Sequence, residues 1–133
     1  MYLLDTNVVS ELRRPRPHGA VLAWLRATSE TDLYVSAVTI GELQAGAEIT
    51  REQDAVKAAE IESWIDRVAA THNVLPMDGI IFRRWARLMH RRTEALSEDA
   101  MIAATAAVHN LTVVTRNVRN FGPFGVETLN PFL

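Results

Sequence analysis

Cysteine is absent from this chain, which excludes disulfides, thiolate metal sites and cysteine nucleophiles and says little about redox compartment. Lysine is nearly absent too. Lys57 is the single one, so thirteen of the 14 basic residues are arginines, a bias that suits forked contacts to phosphate and follows equally from a GC-rich genome. Positive charge is not in excess: the formal net charge is -2, so a polyanionic partner has to meet a local basic patch. No run approaches the roughly 20 continuous apolar residues of a membrane-spanning helix, and the start lacks the basic stretch and long apolar segment of a secretory signal. The expectation is a cytoplasmic protein with no membrane partner. No G-x-S-x-G elbow occurs, which removes the serine hydrolases. Chemistry has to come from oxygen, nitrogen or a bound ion.

What is present is enough apolar material for one substantial core. With 48% hydrophobic residues, residues 1–133 are expected to form a single domain without linker, repeat or low-complexity tract. Tyr2 to Leu4 reads as a short strand, and Val8, Val9 and Leu12 follow at helical spacing until "RRPRP" stops the helix. "HGAVLAWLRA" predicts a second helix, and "DLYVSAV" a strand that runs into the helix of "TIGELQAGAEI". From Glu52 to Thr71 the apolar positions Val56, Ala59, Ile61, Trp64, Ile65 and Val68 predict a long surface helix. "NVLPMD" gives a third strand and turn, "GIIFRRWARLMHRR" another helix, and "SEDAMIAATAAVHN" a helix apolar nearly all round and therefore buried. "LTVVTRN" has the β-branched continuity of a central parallel strand, and "GVETLNP" that of a weaker edge strand. Alternating strands and helices predict an α/β fold, a mostly parallel central sheet with helices on both faces.

In such sheets the binding crevice lies beyond the carboxyl ends of the strands. Asp5 ends the first strand, Glu42 lies one turn into the helix after the second, Asp99 opens the buried helix, and Thr115 to Asn117 end the last central strand. Four distant segments thus deliver Asp5, Glu42, Asp99 and Asn117 to one edge. Each has a structural explanation as well. Asp5 fits a helix cap, Thr39 with Glu42 fits a capping box, Asp99 after a Ser97 cap suits the helix dipole, and Asn117 suits a turn. Together they suggest more, because grouped carboxylates repel unless a cation compensates, and oxygen-only ligands select a hard ion such as Mg²⁺ or Mn²⁺. Such an ion activates water for attack on a phosphodiester.

The segments "LLDTNVVSEL", "VSAVTIGELQAG", "EDAMIAATAAVHNLTVVTRN" and "GVETLNP" resemble, in order and spacing, the PIN-domain ribonucleases, specifically the VapC/FitB-type toxins of bacterial toxin–antitoxin pairs. The resemblance implies a three-layer α/β/α sandwich and a Mg²⁺- or Mn²⁺-dependent endoribonuclease acting on structured RNA. It also implies a homodimer, held inactive by a cognate VapB/FitA-like antitoxin through which the complex binds operator DNA. Carried over by motif, Asp5 and Asp99 would be the principal metal ligands and Glu42 would complete the acidic set, orienting water or a second ion. Thr6 and Asn7 would line the pocket, with Thr115, Arg116 and Asn117 toward metal-bound water or phosphate. One departure stands out: many family members have a fourth acid after the last core strand, where this chain has the amides Asn117 and Asn120.

Other residues point elsewhere. His18, His72, His90 and His109 are scattered without ligand spacing. Trp24, Trp64 and Trp85 sit in apolar stripes suited to packing. Arg83, Arg87 and Arg91 form a solvated stripe that an acidic helix with Glu60, Glu62 and Asp66 would pair, whereas Arg13, Arg14 and Arg16 follow the first helix and would reach RNA or antitoxin. A receiver-like domain would need a lysine after a late strand, where Arg116 stands; a haloacid-dehalogenase-type phosphatase would need an acid at Asn7. The remaining alternative is a PIN-fold module that binds RNA or antitoxin with little catalysis.

Overall fold

The computed structural model describes all residues, Met1–Leu133. The chain runs β1 (Tyr2–Leu4), α1 (Thr6–Glu11), α2 (Gly19–Ala27), β2 (Leu33–Ser36), α3 (Ala37–Arg51), α4 (Ala55–Thr71) and β3 (Asn73–Leu75). It continues through α5 (Gly79–Met89), α6 (Ser97–His109), β4 (Thr112–Val114), α7 (Val118–Phe121) and β5 (Thr128–Leu129). The strands form one sheet in the order β3-β2-β1-β4-β5, parallel at every pairing. Leu4 stands level with Val35 and Val114, so β1, β2 and β4 end at the same height.

Connections between parallel strands are right-handed. The steps β1 to β2 to β3 move one way along the sheet and put α1 to α4 on one face; the reversal from β3 to β4 puts α5 to α7 on the other. Alternation along the strands serves both layers. Leu4, Val35 and Val114 pack with Val8, Val9, Val21 and Val68, while Leu3 and Val113 point the opposite way onto Ala100, Ile102, Ala103, Ala106 and Phe121. The alanines explain why α6 reads as apolar all round: small side chains let it lie close on the sheet. It ends at Asn110, whose φ of 56° is the left-handed stop favoured by glycine and asparagine. No helix is long and apolar enough to cross a membrane.

Four local expectations are corrected. The helix after β2 starts at Ala37, capped by Ser36, whose Oγ accepts from the Val38 N–H at 3.1 Å, so Thr39 lies inside the first turns and is fully buried. Ser97 is likewise no cap: Leu96 holds that position, and the Ser97 carbonyl accepts from the Trp85 indole at 3.1 Å. In α4, Val56 is 72% exposed and the buried row is Ala58, Ile61, Ile65 and Val68, because Asp54 caps the helix in a phase that turns Val56 to solvent. The acids of α4 also lie on the opposite sheet face from the arginines of α5. Glu62 pairs instead with Arg51 of α3, against which α4 packs. Ser36→Ala is expected to destabilise the fold by about 1 kcal/mol, seen as a lower urea midpoint at unchanged slope.

Candidate active site

The strand order reverses between β1 and β4, where the chain has wound outward in both directions, and this is the point at which open α/β sheets leave a crevice. Asp5 stands in it. Its backbone N–H donates to the Val114 carbonyl at 2.9 Å, prolonging the pairing with β4 by one residue before α1 begins. The side chain then does two jobs. Oδ1 accepts from the Thr6 N–H at 2.8 Å and caps α1, and Oδ2 accepts from the Thr115 hydroxyl at 2.7 Å and the Asn7 amide at 3.3 Å. A carboxylate so held is only 5% exposed and has one geometry. That is why a bare acid follows a buried strand here: the capping explanation is true, and it also orients the group.

Neighbouring side chains extend the frame. Asn7 donates to Thr115 Oγ1 at 3.3 Å and accepts from the Arg116 N–H at 3.2 Å, bridging the ends of β1 and β4. The Thr6 hydroxyl donates to Glu42 Oε1 at 2.9 Å and lies 3.0 Å from the Thr39 hydroxyl. Glu42 therefore reaches across to α1 rather than back to its own helix end, which replaces the capping-box expectation. Asp99, in the first turn of α6, accepts from the Asn120 amide at 3.2 Å.

Burial, chiefly, pushes the Asp5 carboxyl above its ordinary range against the opposing hydrogen bonds from Thr115, Thr6 and Asn7. Glu42 is raised by burial and by the charges of Asp5, Glu98 and Asp99, with the Thr6 hydroxyl opposing. Asp99 is raised by burial and by Asp5 and Glu98, with Asn120 opposing. The three acids thus feel one another, and none forms an ion pair with a basic side chain. They do not close on one point: no three histidine, aspartate or glutamate side chains surround a position where a single ion would touch them all. The donors are carboxylate, hydroxyl and amide oxygens, a set that fits a hard divalent ion and not zinc.

Of the other expected site residues, Thr115 is buried at the centre of the frame. Asn117 is not part of it. Its backbone N–H donates to Thr115 Oγ1 at 3.0 Å, but its side chain is exposed and bonds to no acid, because the chain turns into α7 and carries Asn120 round to Asp99 instead. Arg13 is exposed beside a cavity of about 190 Å³ that it shares with Thr6, Glu42 and Trp64, so it borders Glu42. Arg14 turns away to Glu11, its Nε 3.5 Å from Oε2. Glu11 itself was not foreseen: it is 4% exposed and accepts from the His18 N–H at 2.9 Å, closing the proline-rich loop. Arg116 lies over the Phe132 ring, at 3.9 Å from its centroid. The residues missed at the site are Thr39, Glu98 and Asn120. Glu98 was legible as the acid beside Asp99.

A family model described as the PIN domain matches residues 2–122. Toxin FitB of Neisseria gonorrhoeae is 36% identical over 138 residues, covering 99% of each chain. VapC ribonuclease Y4jK of Sinorhizobium fredii is 35% identical over 99% of this chain and 98% of its own. Among solved structures, the crystal structure of FitAcB from Neisseria gonorrhoeae superposes with a TM-score of 0.86 at 34% identity, covering 99% of both chains. With its parallel sheet in the order 3-2-1-4-5 and its acids at the switch point, the chain belongs to the PIN domain family.

Proposed function

We propose that this protein is a Mg²⁺- or Mn²⁺-dependent endoribonuclease that serves as the toxin of a toxin–antitoxin pair. The observation that carries the reading is that Asp5, Glu42 and Asp99 lie along one switch-point rim, with raised proton affinities and no basic partner. The names of the relatives, a toxin and a VapC ribonuclease, support the same activity class.

Asp5 and Asp99 would hold the ion, and Glu42 would act through water. Mg²⁺ commonly uses one or two carboxylates, completing its shell with waters and substrate phosphate, which suits a rim where no three acids converge. When bound, the ion lowers the pKa of water and offsets charge on the phosphate. The chain's own residues supply the positioning. Thr6, Asn7 and Thr115 fix the Asp5 carboxylate, Asn120 fixes Asp99, and Thr6 turns Glu42 into the crevice where it accepts a proton from the attacking water. Oxygen from water would bond to phosphorus as the bond to the 3′ oxygen breaks; that oxygen would take a proton from solvent water and Glu42 would return its own to solvent, giving 5′-phosphate and 3′-hydroxyl ends. Arg13 and Arg116 meet the flanking phosphates. Asn117, outside the frame, serves at most as a contact to RNA.

The proposed setting is the cytoplasm, as a homodimer bound by a VapB/FitA-like antitoxin that carries the complex to operator DNA. Purified protein is expected to cut a structured RNA in Mn²⁺ and to stop in EDTA. RNA that stays bound but uncut in Mn²⁺ would favour the binding-module reading instead.

A further inference from the structure

Arg116 stands one residue beyond Thr115, and its backbone N–H is tied to Asn7, whose amide donates to Asp5. Asp5, Glu42 and Asp99 have no basic partner, and Arg116 pairs with none of them. Its guanidinium instead lies over the Phe132 ring, Cζ 3.9 Å from the centroid. That ring is itself seated. Its centroid lies 5.2 Å from that of His18 in an edge-on pair, it packs against the apolar cluster that includes Leu4, Val8 and Val9, and its own N–H donates to Asn130 Oδ1 at 3.0 Å. Pro131 before it is buried, and the Leu129 carbonyl accepts from the Thr115 N–H at 2.9 Å, so the segment leading to Phe132 is anchored where β4 ends.

We propose that Phe132 is a positioning residue that holds Arg116 as a clamp for an RNA phosphate at the edge of the acid cluster, a role that rests on the nuclease reading above. With Cζ held over the ring and the side chain exposed, the guanidinium N–H groups bond to no other side chain and are free for a two-pronged contact with phosphate. Stacking also keeps the cation off Asp5, so the acids stay available to a divalent ion.

The test uses the full chain and a fluorescein-labelled RNA hairpin with a single-stranded loop, with binding read by anisotropy in EDTA and cleavage read in Mn²⁺. Phe132→Leu keeps an apolar plug but removes the aromatic face. It is expected to raise both Kd and KM about threefold to tenfold, with kcat moving less than about twofold. The slope of log affinity against log salt should fall by about 0.7, the loss of one phosphate contact. Arg116→Gln should match it, the double variant should bind no worse than either single one, and Phe132→Trp should behave as the parent. An unchanged KM and salt slope in Phe132→Leu, or losses that add in the double variant, would overturn the proposal. Thermal melts of each variant check the fold, and Phe132→Met, which also removes the aromatic face and is expected to show the same losses, replaces Phe132→Leu if that variant does not fold. If no protein cuts RNA but Phe132→Leu still binds it more weakly, the clamp stands and the nuclease reading fails. If the parent cuts and Phe132→Leu binds equally well, the reverse holds.

Discussion

Asp5→Asn is expected to reduce RNA cleavage by about 1000-fold and to abolish growth arrest on expression, while the purified variant still folds. Losing a directly held charge should exceed the ten- to hundredfold typical of residues one contact further out. The side chain keeps its shape, and the amide oxygen still accepts from the Thr6 N–H, so the cap on α1 survives. What changes is the edge facing Thr115 and Asn7, where an acceptor becomes a donor. Removing a buried charge offsets that loss, and the melting temperature should stay within about 4 °C of the parent, the equivalent of roughly 1 kcal/mol in a chain of this size. Growth arrest of normal strength from Asp5→Asn, at matched expression, would remove Asp5 from the chemistry.

The second large effect is thermodynamic. Asp5, Glu42 and Asp99 hold protons more tightly in the folded protein than in the unfolded chain. Between the two sets of values the native state binds more protons, so unfolding becomes easier as pH rises. Their contribution is therefore fully present below the ordinary carboxyl values of 3.8 and 4.5 and is lost as pH rises through the raised native ones. At neutral pH and above, the metal-free site works against the fold. Glu48 and Glu62, held low by hydrogen bonds from Arg51, act with the opposite sign and lose their contribution in acid. A divalent ion should remove the penalty at the rim: Mn²⁺ at a hundred times its Kd is worth about 2.7 kcal/mol, or about 10 °C in melting temperature, at pH 8. The gain should shrink toward pH 4 as the acids take up protons. Equal gains at both pH values, measured by calorimetry against EDTA, would show that the ion binds elsewhere.

Much of this site was legible because its logic is topological. A β-branched run such as "LTVVTRN" fits a covered parallel strand, and the rule that crevices lie beyond strand ends then selects Asp5, Glu42 and Asp99 without any knowledge of contacts. The failures come from interactions that sequence spacing does not encode. Thr39 and Glu42 match a capping box, but Ser36 stands just upstream and takes the cap, freeing Glu42 to reach Thr6, 36 residues away in sequence. Glu11 looks like a surface acid until the proline-rich loop brings the His18 N–H back to it. Asn117 and Asn120 are equivalent on paper; the short helix α7 decides which faces Asp99. The arginines of α5 and the acids of α4 are separated by the direction of the crossovers, and Arg116 finds Phe132 only because the end of the chain folds over β4.

The most direct measurement is a Mn²⁺ titration followed by electron paramagnetic resonance at pH 8, on the parent, Asp5→Asn, Asp99→Asn and Glu42→Gln. The account predicts one ion per chain in the parent, affinity at least about tenfold weaker in both aspartate variants, and a smaller loss in Glu42→Gln. Parent-like binding by Asp5→Asn and Asp99→Asn would contradict it.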